Sequence, residues 1–144
     1  MDAREHRRQT LHVACALIER GGRVLGVQRS AAMSLPLKWE FPGGKIEPGE
    51  SVAVCLVREV REELGVEVAV GEALPDAAHD YPGFSVVLYP RRCRIIAGEP
   101  ALIEHAAARW LLPEELHAVD WAAADLPVLE SWRASQQGNP GTAD

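Results

Sequence analysis

The run Arg58-Glu59-Val60-Arg61-Glu62-Glu63 packs three carboxylates into six residues of a segment that reads as helix. Glu59 and Glu63 are four residues apart and Glu59 and Glu62 three apart, so all three crowd one side of that helix. Like charges at these spacings destabilise a helix by about 0.2–0.5 kcal/mol per pair. The run ends at Gly65, which puts it at the negative end of the helix dipole, where carboxylates are again disfavoured. A solvated face is the ordinary reading of a charge run. Here two local rules are broken in one place, a conflict characteristic of functional sites. A hard divalent cation would remove it: Mg²⁺ takes oxygen ligands and binds through a few carboxylates together with substrate phosphates. The preceding segment, Gly43-Gly44-Lys45-Ile46-Glu47-Pro48-Gly49, can bring backbone close to the cluster because glycine has no side chain to obstruct it.

The elements that must carry this cluster follow from periodicity. Ala53, Leu56, Val57, Val60 and Leu64 form one apolar stripe at helical spacing, predicting a helix over Ser51 to Leu64 with Gly65 as its left-handed cap. Leu11 to Glu19 alternates Val13, Cys15 and Leu17 against Ala14, Ala16 and Ile18, as a strand does, and Gly21-Gly22 turns it into a second strand, Arg23 to Gln28. Ser30 to Trp39 has no period and reads as loop. Glu40-Phe41 reads as a short extended piece before Pro42, with another loop bracketed by Gly43-Gly44 and Pro48-Gly49. Val66 to Ala78 and Phe84 to Ile96 are expected as two long strands, and Arg109 to Leu112 as a further one. Pro113 to Leu116 is expected to start a short helix, and Leu126 to Ala134 to form the last, with 136–144 frayed.

Gly44, five residues, Glu50, seven residues, then Arg58-Glu59-Val60-x-Glu62-Glu63-x-Gly65-Val66 matches the Nudix box at every fixed position. The chain therefore resembles the Nudix hydrolase family, and Trp39 to Gly43 with the strand pair around Ile18 to Arg29 looks like its MutT-like branch. The resemblance implies an α/β fold with a mixed β-sheet sandwiched between helices (α/β/α), one domain over 1–144 with its core about 11–134. It implies Mg²⁺, with Mn²⁺ as a substitute, held by the Gly43 carbonyl, Glu59, Glu62, Glu63 and a later glutamate, Glu104. It implies catalysis by Glu59 as base with Arg58, Glu62 and Glu63, where Arg58 orients the carboxylates and Glu50 supports the loop. Arg29 matches a phosphate-binding arginine, and Gly44 and Lys45 belong to the expected substrate-binding set. The activity implied is cleavage of a nucleoside triphosphate to monophosphate and pyrophosphate, 8-oxo-dGTP and CTP or 5-substituted dCTP being the substrates indicated. ADP-ribose or dinucleotide hydrolysis, or a non-catalytic nucleotide sensor, are the alternatives, although no box glutamate is lost.

Asp125 stands where a base-reading residue is expected, and equally where an N-cap for the last helix would stand. Tyr81 and Phe41 are candidates to stack on a base or to pack as core aromatics. Phe84 replaces an arginine of the guanine-specific enzyme, while Trp39 and Trp121 are expected to line or support the base pocket or, each taken alone, to pack in the core. His79 and His105 read as surface residues at loop ends, and Cys55 as a small apolar filler.

The net charge of −6 over 144 residues disfavours a nucleic-acid polymer, which needs a basic stripe, but not a small nucleotide met through cations. Three scattered cysteines, Cys15, Cys55 and Cys93, argue against a disulfide framework and suit a reducing cytoplasm. The polar N-terminus does not read as a secretory signal, no apolar stretch approaches the ~20 residues of a membrane span, and a monomer or weak homodimer is expected.

Overall fold

The computed structural model describes residues 8–137. Eight strands form a mixed sheet: β1 Gln9–Arg20, β2 Arg23–Gln28, β3 Trp39–Glu40, β4 Gly43–Lys45, β5 Glu67–Ala73, β6 Ala77–Tyr81, β7 Phe84–Ala97 and β8 Ala107–Leu111. Its central path runs β3-β2-β1-β7-β5, with β4 on β1, β6 on β7 and β8 on β2. β1 and β7 pair in parallel from Gln9↔Phe84 to Ile18↔Cys93, and the other named pairings are antiparallel. Gly21 and Gly22 both take positive φ, 59° and 78°, the backbone that a two-residue hairpin needs to match strand twist.

Alternation along β1 decides the layers. Cys15 and Leu17 enter one core with Phe41, Trp121, Leu129 and Trp132. Ala14, Ala16 and Ile18 enter the other with Leu56, Val60 and Leu64. Helix α1, Val52–Leu64, covers the second face, and helix α2, Leu126–Gln137, supplies Val128, Leu129 and Trp132 to the first. Val128 and Leu129, almost fully buried, each contribute about 1.5–3 kcal/mol of apolar burial. Ser51 caps α1 by accepting from the Val54 N–H at 3.1 Å, and Gly65 ends it at φ 70°, donating to the Arg61 carbonyl at 3.0 Å.

Three expectations are corrected. Gly43-Gly44 is a strand, because the close approach of β1 (Ala14↔Gly44, Cys15↔Gly43) recruits it despite its poor strand propensity. The single strand expected over Val66 to Ala78 breaks between Ala73 and Ala77, around Pro75, which has no N–H for a ladder. Gln136 and Gln137, expected frayed, belong to α2, and 138–144 lie outside the described residues. The short helix at Pro113–Ala118 is a 3₁₀ helix, closed by the Glu115 carboxylate accepting from the Leu112 N–H at 2.7 Å.

Candidate active site

Helix α1 delivers its glutamates against β4, and Arg58 decides how they stand. Its guanidinium holds Glu50 with two hydrogen bonds, 2.7 and 2.9 Å, donates to Glu59 at 2.8 Å and reaches Glu62 at 3.5 Å. Glu50 in turn accepts from the Glu47 N–H at 2.8 Å, and Arg58 donates to the Lys45 carbonyl at 3.3 Å. One arginine thus ties the loop to the helix, in a fork geometry that lysine could not supply. These hydrogen bonds from Arg58 and the Glu47 N–H pull the Glu50 carboxyl down to about 2. Glu59 moves the other way: burial raises it, and the Arg58 pair only partly offsets that.

Glu63 is placed differently. Its side chain is 9% exposed, no lysine or arginine among the described residues pairs with it, and its hydrogen bond is a 3.3 Å one from the Gly43 N–H. Burial first, then the nearby Glu40 carboxylate, push it up to about 9. The glycines beside it are required by space. A Cβ on Gly44 would lie 2.3 Å from the Glu59 carboxyl carbon, and one on Gly43, at φ 153°, would lie 1.9 Å from the Ala14 carbonyl oxygen.

Sequence reasoning missed two residues here. Glu40 pairs with Arg29 at 2.8 Å and, through its other oxygen, with His105 Nε2 at 2.9 Å. His105, expected at the surface, is buried, with Nδ1 3.5 Å from Glu63. The available signal was the position of Glu40, a carboxylate on a strand between the bulky apolar residues Trp39 and Phe41. His79 lies half-buried on β6, edge-on to Tyr81 at 4.4 Å. Cys15, Cys55 and Cys93 are free and buried, and Cys55 lies 3.4 Å from the Lys45 carbonyl.

Two cavities meet at this point. One, about 370 Å³, is walled by Gly43, Glu59, Glu62, Glu63, Glu104 and His105. The other, about 330 Å³, is walled largely by Phe41, Tyr81, Phe84, Val86, Leu88 and Asp125, with Gly44 and Lys45 also on its lining. Arg29, Glu40 and Gly43 border both. Among the described residues no three acidic, histidine or cysteine side chains are drawn together tightly enough to enclose an ion as they stand. The donor chemistry nevertheless fits a hard cation. Five glutamates, Glu40, Glu59, Glu62, Glu63 and Glu104, line one cavity together with Gly43, and among the described residues no lysine or arginine pairs with Glu63 there.

In the apolar cavity, Asp125 is buried and its Oδ2 accepts from the Phe41 N–H at 3.0 Å. That bond ties it to the strand region; among the described residues its carboxylate makes no cap bond to α2. Burial, opposed by that N–H, raises it to about 8. The Tyr81 hydroxyl accepts from the Ala124 N–H at 3.0 Å, and its ring stacks on Phe84 with centroids 5.2 Å apart. Phe41 packs on Trp121 at 4.8 Å, while Trp39 and Trp121 are bridged behind the cavity and support it. Arg29 also donates to the Ser34 carbonyl and hydroxyl.

Known proteins share this arrangement of elements. The NUDIX domain model matches residues 8–132. The CTP pyrophosphohydrolase of Escherichia coli (strain K12) is 39% identical over 130 residues, covering 90% of this chain and 96% of that protein. A putative 8-oxo-dGTP diphosphatase 2 of Mycobacterium tuberculosis is 40% identical over 116 residues, 78% and 81% of the two chains. The solution structure of the E. coli ORF135 protein superposes with a TM-score of 0.79 at 37% identity, over 94% of this chain and 96% of that one.

Proposed function

The chain belongs to the Nudix family of hydrolases, and from that premise we propose that it cleaves nucleoside triphosphates to a monophosphate and pyrophosphate, with Mg²⁺ as its ion and Mn²⁺ as a substitute. The observation that carries this reading is the shared border: a carboxylate-lined cavity and an apolar, aromatic-walled one meet at Arg29, Glu40 and Gly43. A polyphosphate and a base differ in the same way, one polar and one flat and apolar, and are joined in one molecule.

In this reading Glu59, Glu62, Glu63, Glu104 and the Gly43 carbonyl hold the ion. A bound ion would neutralise charge on the phosphoanhydride and lower the pKa of a water. Glu59 would accept the proton of the attacking water, a role suited to a carboxylate that burial raises. Arg58 keeps the Glu59 carboxylate aimed, and Arg29 meets a phosphate oxygen. Phe41 and Tyr81 face the base, and Asp125 reads its edge. The carboxyl of Asp125 is protonated below about 8, so it can both donate and accept, as an oxidised purine or a cytosine requires.

Nucleotide-pool sanitising, on 8-oxo-dGTP or on CTP and 5-substituted dCTP, is the role this predicts. The substrate is a free nucleotide and not a polymer, in keeping with the net charge of −6. A monomer or weak homodimer of one domain, working in the cytoplasm, completes the reading; three free buried cysteines support the compartment. No helix among the described residues is long and apolar enough to cross a membrane. A panel of unmodified, oxidised and methylated nucleoside triphosphates, compared by kcat/KM with the leaving group identified, tests the reading. Release of orthophosphate alone, or activity confined to ADP-ribose, would overturn it.

A further inference from the structure

His105 lines the carboxylate cavity and contacts Glu40, which borders both cavities, and nothing in the proposed chemistry yet uses it. Its side chain is 3% exposed. Nε2 lies 2.9 Å from one oxygen of Glu40, whose other oxygen is held by Arg29 at 2.8 Å. Nδ1 lies 3.5 Å from Glu63 and is the one buried side-chain polar atom among the described residues with no hydrogen-bond partner. Burying a polar atom unpartnered is costly, and Glu63 is the group within reach. The backbone around the ring is pinned as well. Ala101 donates to the Leu64 carbonyl at 2.9 Å and Ala106 to the Gln28 carbonyl at 2.8 Å, so the loop carrying Glu104 and His105 is fastened to both α1 and β2.

We propose that His105 is a positioning residue whose two ring nitrogens set the Glu63 carboxylate on one side and, through Glu40, the Arg29 guanidinium on the other, fixing the spacing between the ion site and the phosphate site. This inference rests on the proposed function, in which Glu63 holds the ion and Arg29 meets phosphate. Partners of this kind orient the groups that touch a metal, and losing one typically weakens metal affinity about 10–100-fold. His105 acts in two directions because its two nitrogens have different carboxylate neighbours, and that gives it a separable signature.

The two nitrogens can be removed one at a time. An asparagine amide replaces Nδ1 and a glutamine amide replaces Nε2, by their bond count from Cα. His105→Gln should therefore weaken Mn²⁺ binding, read by calorimetric titration without nucleotide, by about tenfold or more, while KM for CTP at saturating Mn²⁺ stays within about twofold of wild type. His105→Asn should do the reverse, raising KM with Mn²⁺ affinity nearly kept. His105→Leu, which keeps apolar packing and drops both contacts, should show both losses. Thermal melts of all three identify any that fail to fold, and the Gln and Asn pair alone is sufficient. Equal losses in both parameters for both variants, or no change in either, would overturn the positioning role and leave His105 a packing residue. If the wild-type protein itself takes up no Mn²⁺, the proposed function fails first and this inference with it; if wild type binds and the variants match it, only this inference falls.

Discussion

Gly43 and Gly44 are neighbours in β4, yet adding one methyl to each should have opposite consequences. Gly44 holds a backbone conformation open to any residue, so alanine there adds no strain in φ. What its Cβ meets is the Glu59 carboxylate, 2.3 Å to the carbon and 2.4 and 2.6 Å to the oxygens. Ordinary contact requires that carboxylate to retreat by about 1 Å, and a misplacement of that size at a reacting centre can lower turnover about 10²-fold, equivalent to ~2.7 kcal/mol of barrier. The retreat is not free, because Arg58 holds the same carboxylate at 2.8 Å. The far end of a glutamate side chain can nevertheless yield without moving the fold. Gly44→Ala should therefore melt within about 3 °C of wild type, a change of no more than about 1 kcal/mol, while kcat for pyrophosphate release falls by about two decades. In Gly43→Ala the new Cβ falls 1.9 Å from the Ala14 carbonyl oxygen, which is backbone, at a φ of 153° that side chains rarely adopt. Strain and overpacking together should cost about 3 kcal/mol or more, lowering Tm on the order of 10 °C. Melting curves and a coupled pyrophosphate assay on the two purified variants decide the matter. A Gly44→Ala protein with wild-type kcat would refute the placement of Glu59, and one as unstable as Gly43→Ala would refute the claim that only a side chain must move.

Glu59→Gln should fold normally, since it removes a charge from the negative end of α1, and lose about 10²–10⁴-fold in kcat; near-normal turnover would reject Glu59 as the base. Mg²⁺ at about 100 times its Kd should stabilise the native chain by ~2.7 kcal/mol, a rise of several degrees in differential scanning calorimetry, and Glu63→Gln should abolish most of that rise. Asp125 supplies a pH test. Its folded value, about 8, lies above that of an unfolded aspartate, so its contribution to stability is fully present at acid pH and is lost as pH rises through about 8. Base preference should accordingly change across pH 7 to 9, because a donor is lost there, and Asp125→Asn should flatten the change. Asn variants that keep the wild-type pH profile of KM would show that Asp125 does not read the base.

Where the sequence was informative, local physics and tertiary structure agreed. Alternation in β1 predicts which of Cys15, Leu17, Ala14, Ala16 and Ile18 goes to which core, because a period of two admits no other assignment once both faces are covered. The stripe from Ala53 to Leu64 and the glycine after it define α1 for the same reason. Where it failed, the cause was a partner far along the chain. Gly43–Lys45 is a strand because Val13 to Cys15 lie beside it, and no pattern within five residues encodes that. His105 is interior because Glu40 and Glu63 both face it, although each is an unremarkable charge when read alone.

The same distinction refines the argument from misplaced charge. On the sequence, Glu59, Glu62 and Glu63 carry the conflict equally. In the fold, Arg58 reaches Glu59 and Glu62, so much of the helix-level penalty is answered within the protein itself. Glu63 is left out of that settlement: buried, beside Glu40, with the Gly43 N–H as its one donor among the described residues. A carboxyl group that was there only for stability would be replaced at such a position by an apolar side chain, since even its acid form, favoured below about 9, is a buried polar group with a single 3.3 Å hydrogen bond. Glu63→Leu in the ion-free protein should therefore be neutral or raise Tm, while abolishing the Tm response to Mg²⁺. A Glu63→Leu protein that melts well below wild type without any ion would mean that the carboxylate holds the fold together rather than a cation, and the case for an ion site at this end of α1 would lose its strongest support.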